Sequence, residues 1–232
     1  MALIYQNHAI ISVGMSPQTA HQIELNKPLL DEMMGEESHV RRMPFDTMIA
    51  PPRAAAACIA EGRYFPDSAD DLIHLGRRRR FHWSDRGVWY WHMKNGLEDF
   101  AQHREAYARA GTALKRSRKR KILAIWSNAQ ENIDMMGIIP PIDPVARKSD
   151  LRRLGRTLRR RFEDATLFCV TRPDRMDPKD PPDPERRAFY YADDEDGTWR
   201  GDQGVWSDVL VQAISKTRFT ERKTPEAPRL VG

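Results

Sequence analysis

The sequence has few cysteines and no long apolar run. Its two cysteines, Cys58 and Cys169, lie in apolar segments without the spacing of a zinc site. They therefore predict buried packing in a reducing compartment rather than a disulfide framework. No apolar run approaches the roughly 20 residues that cross a bilayer, and the first residues lack the pattern of a signal peptide. These absences predict a cytoplasmic protein without a membrane span.

Glycine-rich phosphate loops and nucleic-acid-binding motifs are also absent. The segment SVGMSP contains a single glycine, Gly14, whereas dinucleotide and P-loop motifs need two or three. The aromatic residues do not alternate with the basic ones as they would in a platform for stacking bases. We therefore expect no cofactor and no metal ion, and nucleic acid is the less favoured partner.

Charge is plentiful but unevenly distributed. The chain carries 38 Lys and Arg against 33 Asp and Glu, yet residues 77 to 121 contain 14 basic and only 4 acidic residues. Basic runs occupy residues 77–80 and 115–121, and a third run is expected on the solvent face of a helix at Arg152, Arg153, Arg156, Arg159 and Arg160. Such runs indicate an anionic partner. They are equally typical of solvated helix faces and of cations at the negative end of a helix dipole.

The order of apolar runs predicts an α/β fold. Apolar strands over 9–13, 87–93, 121–128 and 165–173 alternate with helical segments, and the last two strands are apolar on both faces. This alternation favours a single domain over residues 1–219, built on a mostly parallel sheet with helices on both faces. The polar residues 220–232 are expected to form a flexible tail.

Three helix starts have local signals. Ser16 precedes Pro17, which is the favoured order for a helix cap and first helical residue. Pro51 and Pro52 open an alanine-rich helix that Gly62 closes, and Ser149 is the expected cap of the arginine-rich helix. The polar run over 25–42 predicts a loop with a short helical turn.

Polar residues follow the predicted strands at the edge where parallel sheets bind ligands. Ser16 follows the first strand, Asp46 lies beside the second, and His92 ends the aromatic strand, so the three suggest a nucleophile, an orienting carboxylate and a base. Each also has a structural interpretation, as a helix cap, a turn residue and a packed histidine. Candidate ligand-binding residues at the same edge are Gly14, Ser127 and Asn128.

The motifs SVGMSPQTAHQIE, MPFDTMIAPPRAAAACIAEG, YWHMKNG and WRGDQGVWSDVL together resemble a bacterial family of papain-like cysteine peptidases, often encoded near polysaccharide-biosynthesis genes. The resemblance spans roughly residues 9 to 215. In that family a strand leads into a turn with a cysteine at a helix start, followed by a Pro-Phe-Asp motif and a histidine on an aromatic strand. The resemblance implies that the Pro-Phe-Asp motif corresponds to residues 44–46 and the histidine to His92.

One departure from the family pattern changes the expected chemistry. Where the family has its cysteine, this chain has Pro17, with Ser16 immediately before it. The position of the family's nucleophile therefore lacks a nucleophilic side chain, and three functions stay open. In the first, Ser16 replaces the thiol in a hydrolase-like or transferase-like pocket. In the second, the chain is a non-catalytic relative that binds an anionic glycan or a nucleotide-linked sugar. The third is a basic protein that binds nucleic acid or an acidic partner.

Overall fold

A computed structural model describes residues 8–35, 43–76, 79–130, 141–182, 188–190, 199–217 and 219. The predicted tail at 220–232 and the first half of the 77–80 arginine run lie outside the described residues.

The described residues form six α-helices and eight β-strands. The helices are α1 (Pro17–Leu25), α2 (Lys27–Met34), α3 (Pro52–Glu61), α4 (Phe100–Arg116), α5 (Lys148–Arg161) and α6 (Gln203–Thr217). The strands are β1 (His8–Ser12), β2 (Met48–Ile49), β3 (Leu72–His74), β4 (Phe81–Trp83), β5 (Val88–Tyr90), β6 (Lys121–Ser127), β7 (Asp164–Thr171) and β8 (Ala188–Tyr190).

The strands form two separate sheets. The first has the order β1-β6-β7-β8, and every pairing in it is parallel. The second has the order β2-β5-β4-β3, and its pairings are antiparallel. The α/β character is confirmed, but the prediction of a mostly parallel sheet is wrong. It failed because β2 to β5 are only two or three residues long, too short for hydrophobic alternation to show that they pair as hairpins.

The parallel sheet divides the buried side chains into two clusters. Ala9 and Ile11 of β1 belong to a cluster with α3, α5 and the antiparallel sheet, whereas Ile10 belongs to a cluster with α1, α2 and α6. Successive residues of a strand point to opposite faces, so this division follows from the pleat. The parallel sheet thus separates α3 and α5 on one face from α2 and α6 on the other.

Two of the predicted helix boundaries are confirmed. Ser16 is the N-cap of α1 and Pro17 its first residue. Pro52 opens α3, and Gly62 ends it in the left-handed conformation with φ 71°. Proline lacks the N–H that would be unpaired at a helix start, and glycine adopts positive φ without a steric cost.

Two other local predictions are wrong. The segment 25–42, expected to be a loop with a short helical turn, contains the eight-residue helix α2, which has Pro28 in its first turn and the left-handed Gly35 at its end. The rest of that segment, 36–42, lies outside the described residues. Ser149 lies inside α5, and the cap is supplied from a distant loop because the Ser149 backbone N–H donates to the Asp180 carboxylate at 2.8 Å. That hydrogen bond, with smaller contributions from the charges of Lys148 and Arg152, lowers the pKa of Asp180.

None of the helices in the described part of the chain is long and apolar enough to cross a membrane.

Candidate functional site

The turn between β1 and α1 is held tightly by its neighbours. The Met15 backbone N–H donates to the Ala50 carbonyl at 3.1 Å, and Gly14 has φ 119°. A Cβ atom on Gly14 would lie 2.5 Å from that carbonyl oxygen, which only glycine avoids. Met15 itself has φ 60°, a conformation that costs a side-chain-bearing residue about 1 kcal/mol or more. The turn that presents Ser16 is therefore strained and fixed in place.

Ser16 uses its hydroxyl to cap α1. Its Oγ accepts a hydrogen bond from the Gln18 backbone N–H at 3.2 Å, and the residue is 0% exposed. Within the described residues the structure shows no hydrogen bond from Ser16 to His92 or to Asp46. A nucleophile needs a base within hydrogen-bond reach and access to substrate. In this conformation the Ser16 hydroxyl has neither.

Asp46 stabilises its own turn. It lies in the short 3-10 helix Pro44–Thr47, and its Oδ2 accepts the Met43 backbone N–H at 2.7 Å. The next residue, Thr47, shares a hydrogen bond of 3.0 Å with the Tyr107 hydroxyl of α4. The carboxylate of Asp46 thus stabilises the start of the segment that leads into β2.

His92 lies two residues beyond the end of β5 and is exposed. Partial desolvation of its ring, followed by the charges of Arg80 and Arg79, lowers the pKa of His92. The imidazole is therefore mostly neutral at pH 7, which is the form that a general base requires.

Strand register relates the three predicted catalytic residues. Met48 of β2 pairs with Tyr90 of the antiparallel strand β5. Asp46 lies two residues before Met48 and His92 lies two residues after Tyr90, so both follow the same end of this pair. The turn before Ser16 is hydrogen-bonded to Ala50, which follows Met48 along the chain and so lies toward the other end of β2. The register thus brings Asp46 and His92 to one end of the ladder and anchors the Ser16 turn at the other.

Asn128 has every polar group of its side chain occupied. Its Nδ2 donates to the carbonyls of Pro144 at 2.7 Å and Arg175 at 3.2 Å, and its Oδ1 accepts the Arg172 backbone N–H at 3.2 Å. Its own backbone N–H donates to the Val170 carbonyl at 3.1 Å. Asn128 is 0% exposed, so it joins the loops after β6 and β7 rather than facing solvent.

The neighbours of Asn128 are also engaged within the fold. The Ser127 Oγ accepts the Ala129 backbone N–H at 3.0 Å. The guanidinium of Arg175, which is 3% exposed, donates to the carbonyls of Asn128 and Gln130 at 2.5 and 2.6 Å. A buried charge is tolerated when its donors are satisfied in this way. The predicted ligand-binding edge is thus occupied by the protein's own hydrogen bonds.

The two cysteines are free and buried, as the sequence predicts. Burial raises the pKa of both the Cys58 and the Cys169 thiols to about 12. A thiol of that pKa is protonated at neutral pH and is a poor nucleophile. In addition, no group of three His, Cys, Asp or Glu side chains within the described ranges is placed to hold a metal ion.

A cavity of about 490 Å³ lies on a different part of the surface, between the end of α3, one side of α4 and the end of α5. We call it the basic groove, after the six cationic residues that line it: Arg63, Arg104, Lys115, Arg118, Arg160 and Arg161. The groove is formed where the carboxyl ends of α4 and α5 approach each other. Its two sides are joined there through the main chain, because the Glu163 backbone N–H donates to the Arg118 carbonyl at 3.1 Å.

The acidic residues of the groove are already paired. Asp67 lies 2.8 Å from the guanidinium of Arg63, and Glu61 pairs with Arg86. By contrast, none of four cations forms an ion pair with a residue in the described part of the chain: Lys115, Arg118, Arg160 and Arg161. All four are exposed. The groove therefore carries an excess of positive charge that no ion pair within the described residues neutralises.

The aromatic side chains in the wall of the groove are buried except for Tyr107, which is partly exposed. Tyr64 and Phe65 are 7% and 5% exposed, and a Cβ on Gly111 would lie 2.9 Å from the Tyr64 ring, so this glycine lets α4 approach the ring. Burial raises the pKa of Tyr64, and the charge of Arg161 opposes that effect. The Arg161 guanidinium is therefore within electrostatic reach of the Tyr64 hydroxyl.

Sequence reasoning identified both basic runs but not the groove. The runs at 115–121 and 152–160 are separated by more than thirty residues, and their convergence depends on how α3, α4 and α5 pack. A scan against protein-family models, a search of curated proteins and a search of solved structures each gave no significant match to this chain.

Proposed function

We propose that this protein binds an anionic ligand in the basic groove. The observation that carries the proposal is the set of four exposed cations around one cavity that have no acidic partner among the described residues, while the acids of the same cavity are paired. Guanidinium groups bind phosphate, sulfate or carboxylate through paired N–H donors. A volume of about 490 Å³ is in the range of small-molecule sites.

Helix dipoles do not account for this charge. The carboxyl ends of α4 and α5 supply about half a negative charge each, whereas Lys115, Arg118, Arg160 and Arg161 bring four positive charges to the same place. Cations in the last turn of a helix are common, and one or two would be explained by the dipole alone. The remaining repulsion would be relieved by a bound anion, so ligand binding would stabilise the folded protein.

An enzyme using Ser16 together with Asp46 and His92, the last two being the residues that the papain-like resemblance implies, is the second candidate. The strained conformation of Met15 favours it, since strained turns often present catalytic groups. The burial of Ser16 and its capping hydrogen bond favour the binding function instead. Catalysis would require the Ser16 hydroxyl to leave the Gln18 backbone N–H and to reach His92.

The test of anion binding is calorimetric titration with tripolyphosphate, a compact probe with several charges. We expect saturable binding by the wild-type protein and about tenfold weaker binding by the double variant Arg160→Gln/Arg161→Gln. The matched control is Lys94→Gln/Lys179→Gln, which removes two exposed charges that do not line the groove and that form no ion pair with a described residue. It is expected to bind within about twofold of the wild type.

Two results would contradict the proposal. One is the absence of binding to the wild-type protein at low salt, where electrostatic attraction is strongest. The other is an equal loss of affinity in the groove variant and the control, which would show that only the net charge of the molecule matters.

A further inference from the structure

The exposed side of α5 continues the basic groove. Arg153, Arg156 and Arg160 follow one another on the side opposite the buried Leu151 and Leu154, and all three arginines are exposed. Arg153 and Arg160 are seven residues apart in sequence, which corresponds to about 10 Å along the helix at about 1.5 Å per residue. We call Arg153, Arg156 and Arg160 the arginine row. It leads directly to the groove, because Arg160 belongs to both.

Within the described residues, no acid is paired with the arginine row. No ion pair links these three arginines to a residue in the parts of the chain that the structure describes. Arg152, by comparison, contributes to lowering the pKa of Asp180 and is therefore left out of the row. Glu163 is exposed just after α5 but forms no ion pair with any described residue. Uncompensated positive charge thus extends from the middle of α5 into the cavity.

The chemistry of this surface limits its ligand. Among the aromatic rings that line the groove, Tyr64, Phe65 and Phe162 are each less than a tenth exposed. Tyr107 is partly exposed, but its ring already stacks on that of Phe65 with centroids 5.0 Å apart. The α5 face between Arg153 and Arg160 contains no aromatic residue. Single-stranded nucleic acids bind through stacking of bases on exposed rings as well as through phosphate contacts. The surface offers guanidinium and ammonium groups, which suit a chain of phosphates that carries no bases.

We propose, resting on the anion binding proposed above, that the ligand is a linear inorganic polyphosphate whose chain enters the groove and continues along the arginine row. Successive phosphates of such a chain each carry a negative charge, so one chain contacts the groove and the row together. Tripolyphosphate, with only three phosphates, serves as the probe of the groove alone. Affinity therefore rises with chain length until the chain reaches Arg153.

The experiment compares tripolyphosphate with polyphosphate of several tens of phosphates, using calorimetry at two salt concentrations. We expect Arg153→Gln/Arg156→Gln to weaken binding of the long chain about tenfold and to leave tripolyphosphate binding within about twofold of wild type. The groove variant Arg160→Gln/Arg161→Gln weakens both. The long chain also shows the steeper salt dependence, since more counterions are released when more charges are neutralised. Circular dichroism confirms that each variant is folded.

The outcomes separate this inference from the function on which it rests. If tripolyphosphate binds in the groove but the row variant binds the long chain like the wild type, the inference is wrong and anion binding stands. If neither phosphate binds, both fail. A single-stranded oligonucleotide or a polyglutamate of equal charge that binds as tightly as the long polyphosphate would overturn the assignment of the ligand class.

Discussion

The turn at Ser16 and the basic groove both gather polar side chains, but they differ in what those side chains contact. At the sheet edge, Ser16, Ser127 and Asn128 are each 0% exposed and bonded to the protein's own backbone. In the groove, Lys115, Arg118, Arg160 and Arg161 are exposed and lack acidic partners among the described residues. Saturated polar groups stabilise a fold, whereas unsatisfied surface charge is available to a ligand. The comparison predicts that substitutions at the turn change stability and substitutions in the groove change binding.

The largest expected effect is at Gly14. The Gly14→Ala variant places a Cβ atom against the Ala50 carbonyl and forces φ 119° on a residue with a side chain. We expect the free energy of unfolding to fall by about 4 kcal/mol, measured by urea denaturation. The control is Gly62→Ala, where φ is 71° but no heavy atom lies within 4 Å of the added Cβ. It should lose about 1 kcal/mol, and equal losses in the two variants would show that contact with Ala50 is unimportant.

Ser16→Ala should have an intermediate effect. Loss of the capping hydrogen bond to the Gln18 backbone N–H is expected to lower the free energy of unfolding by about 1 kcal/mol. Tripolyphosphate binding should stay within about twofold of wild type, because Ser16 is not among the residues that line the groove. Parallel urea denaturation and calorimetry check both values. Loss of anion binding with unchanged stability would reverse the assigned roles of the two regions.

The smallest effect on stability is expected in the groove. The Arg160→Gln/Arg161→Gln variant should change the free energy of unfolding by less than about 0.5 kcal/mol, since both side chains are exposed and unpaired with the described residues. Its tripolyphosphate affinity falls, as described above. Thermal denaturation in a chloride buffer without phosphate measures the stability of the variant separately from its anion binding. A loss greater than about 1.5 kcal/mol would mean that these arginines support the packing of α5.

Local signals explain which parts of the fold were predictable. The start of α1 at Pro17, the bounds of α3 and the buried strands β6 and β7 depend on residues adjacent in sequence, so their patterns predicted them. The cap of α5 was missed because it is supplied by Asp180, about thirty residues away. The antiparallel sheet was missed because its strands are too short for a periodic pattern.

The candidate site was harder to predict because it depends on tertiary contacts. The sequence identified Ser16 both as a helix cap and as a nucleophile, and only the hydrogen bond from Gln18 shows the capping contact. It also identified the runs that contain Lys115 and Arg160 as charged surfaces. Their convergence arises from packing between helices that are distant in sequence.

The hydrogen bond between the Glu163 backbone N–H and the Arg118 carbonyl has a kinetic consequence. It holds the ends of α4 and α5 together before any ligand arrives, so capture of an anion needs no slow ordering of the main chain. Encounter between ligand and protein then depends mainly on electrostatic attraction. The association rate constant should fall steeply with ionic strength, while the dissociation rate constant changes less.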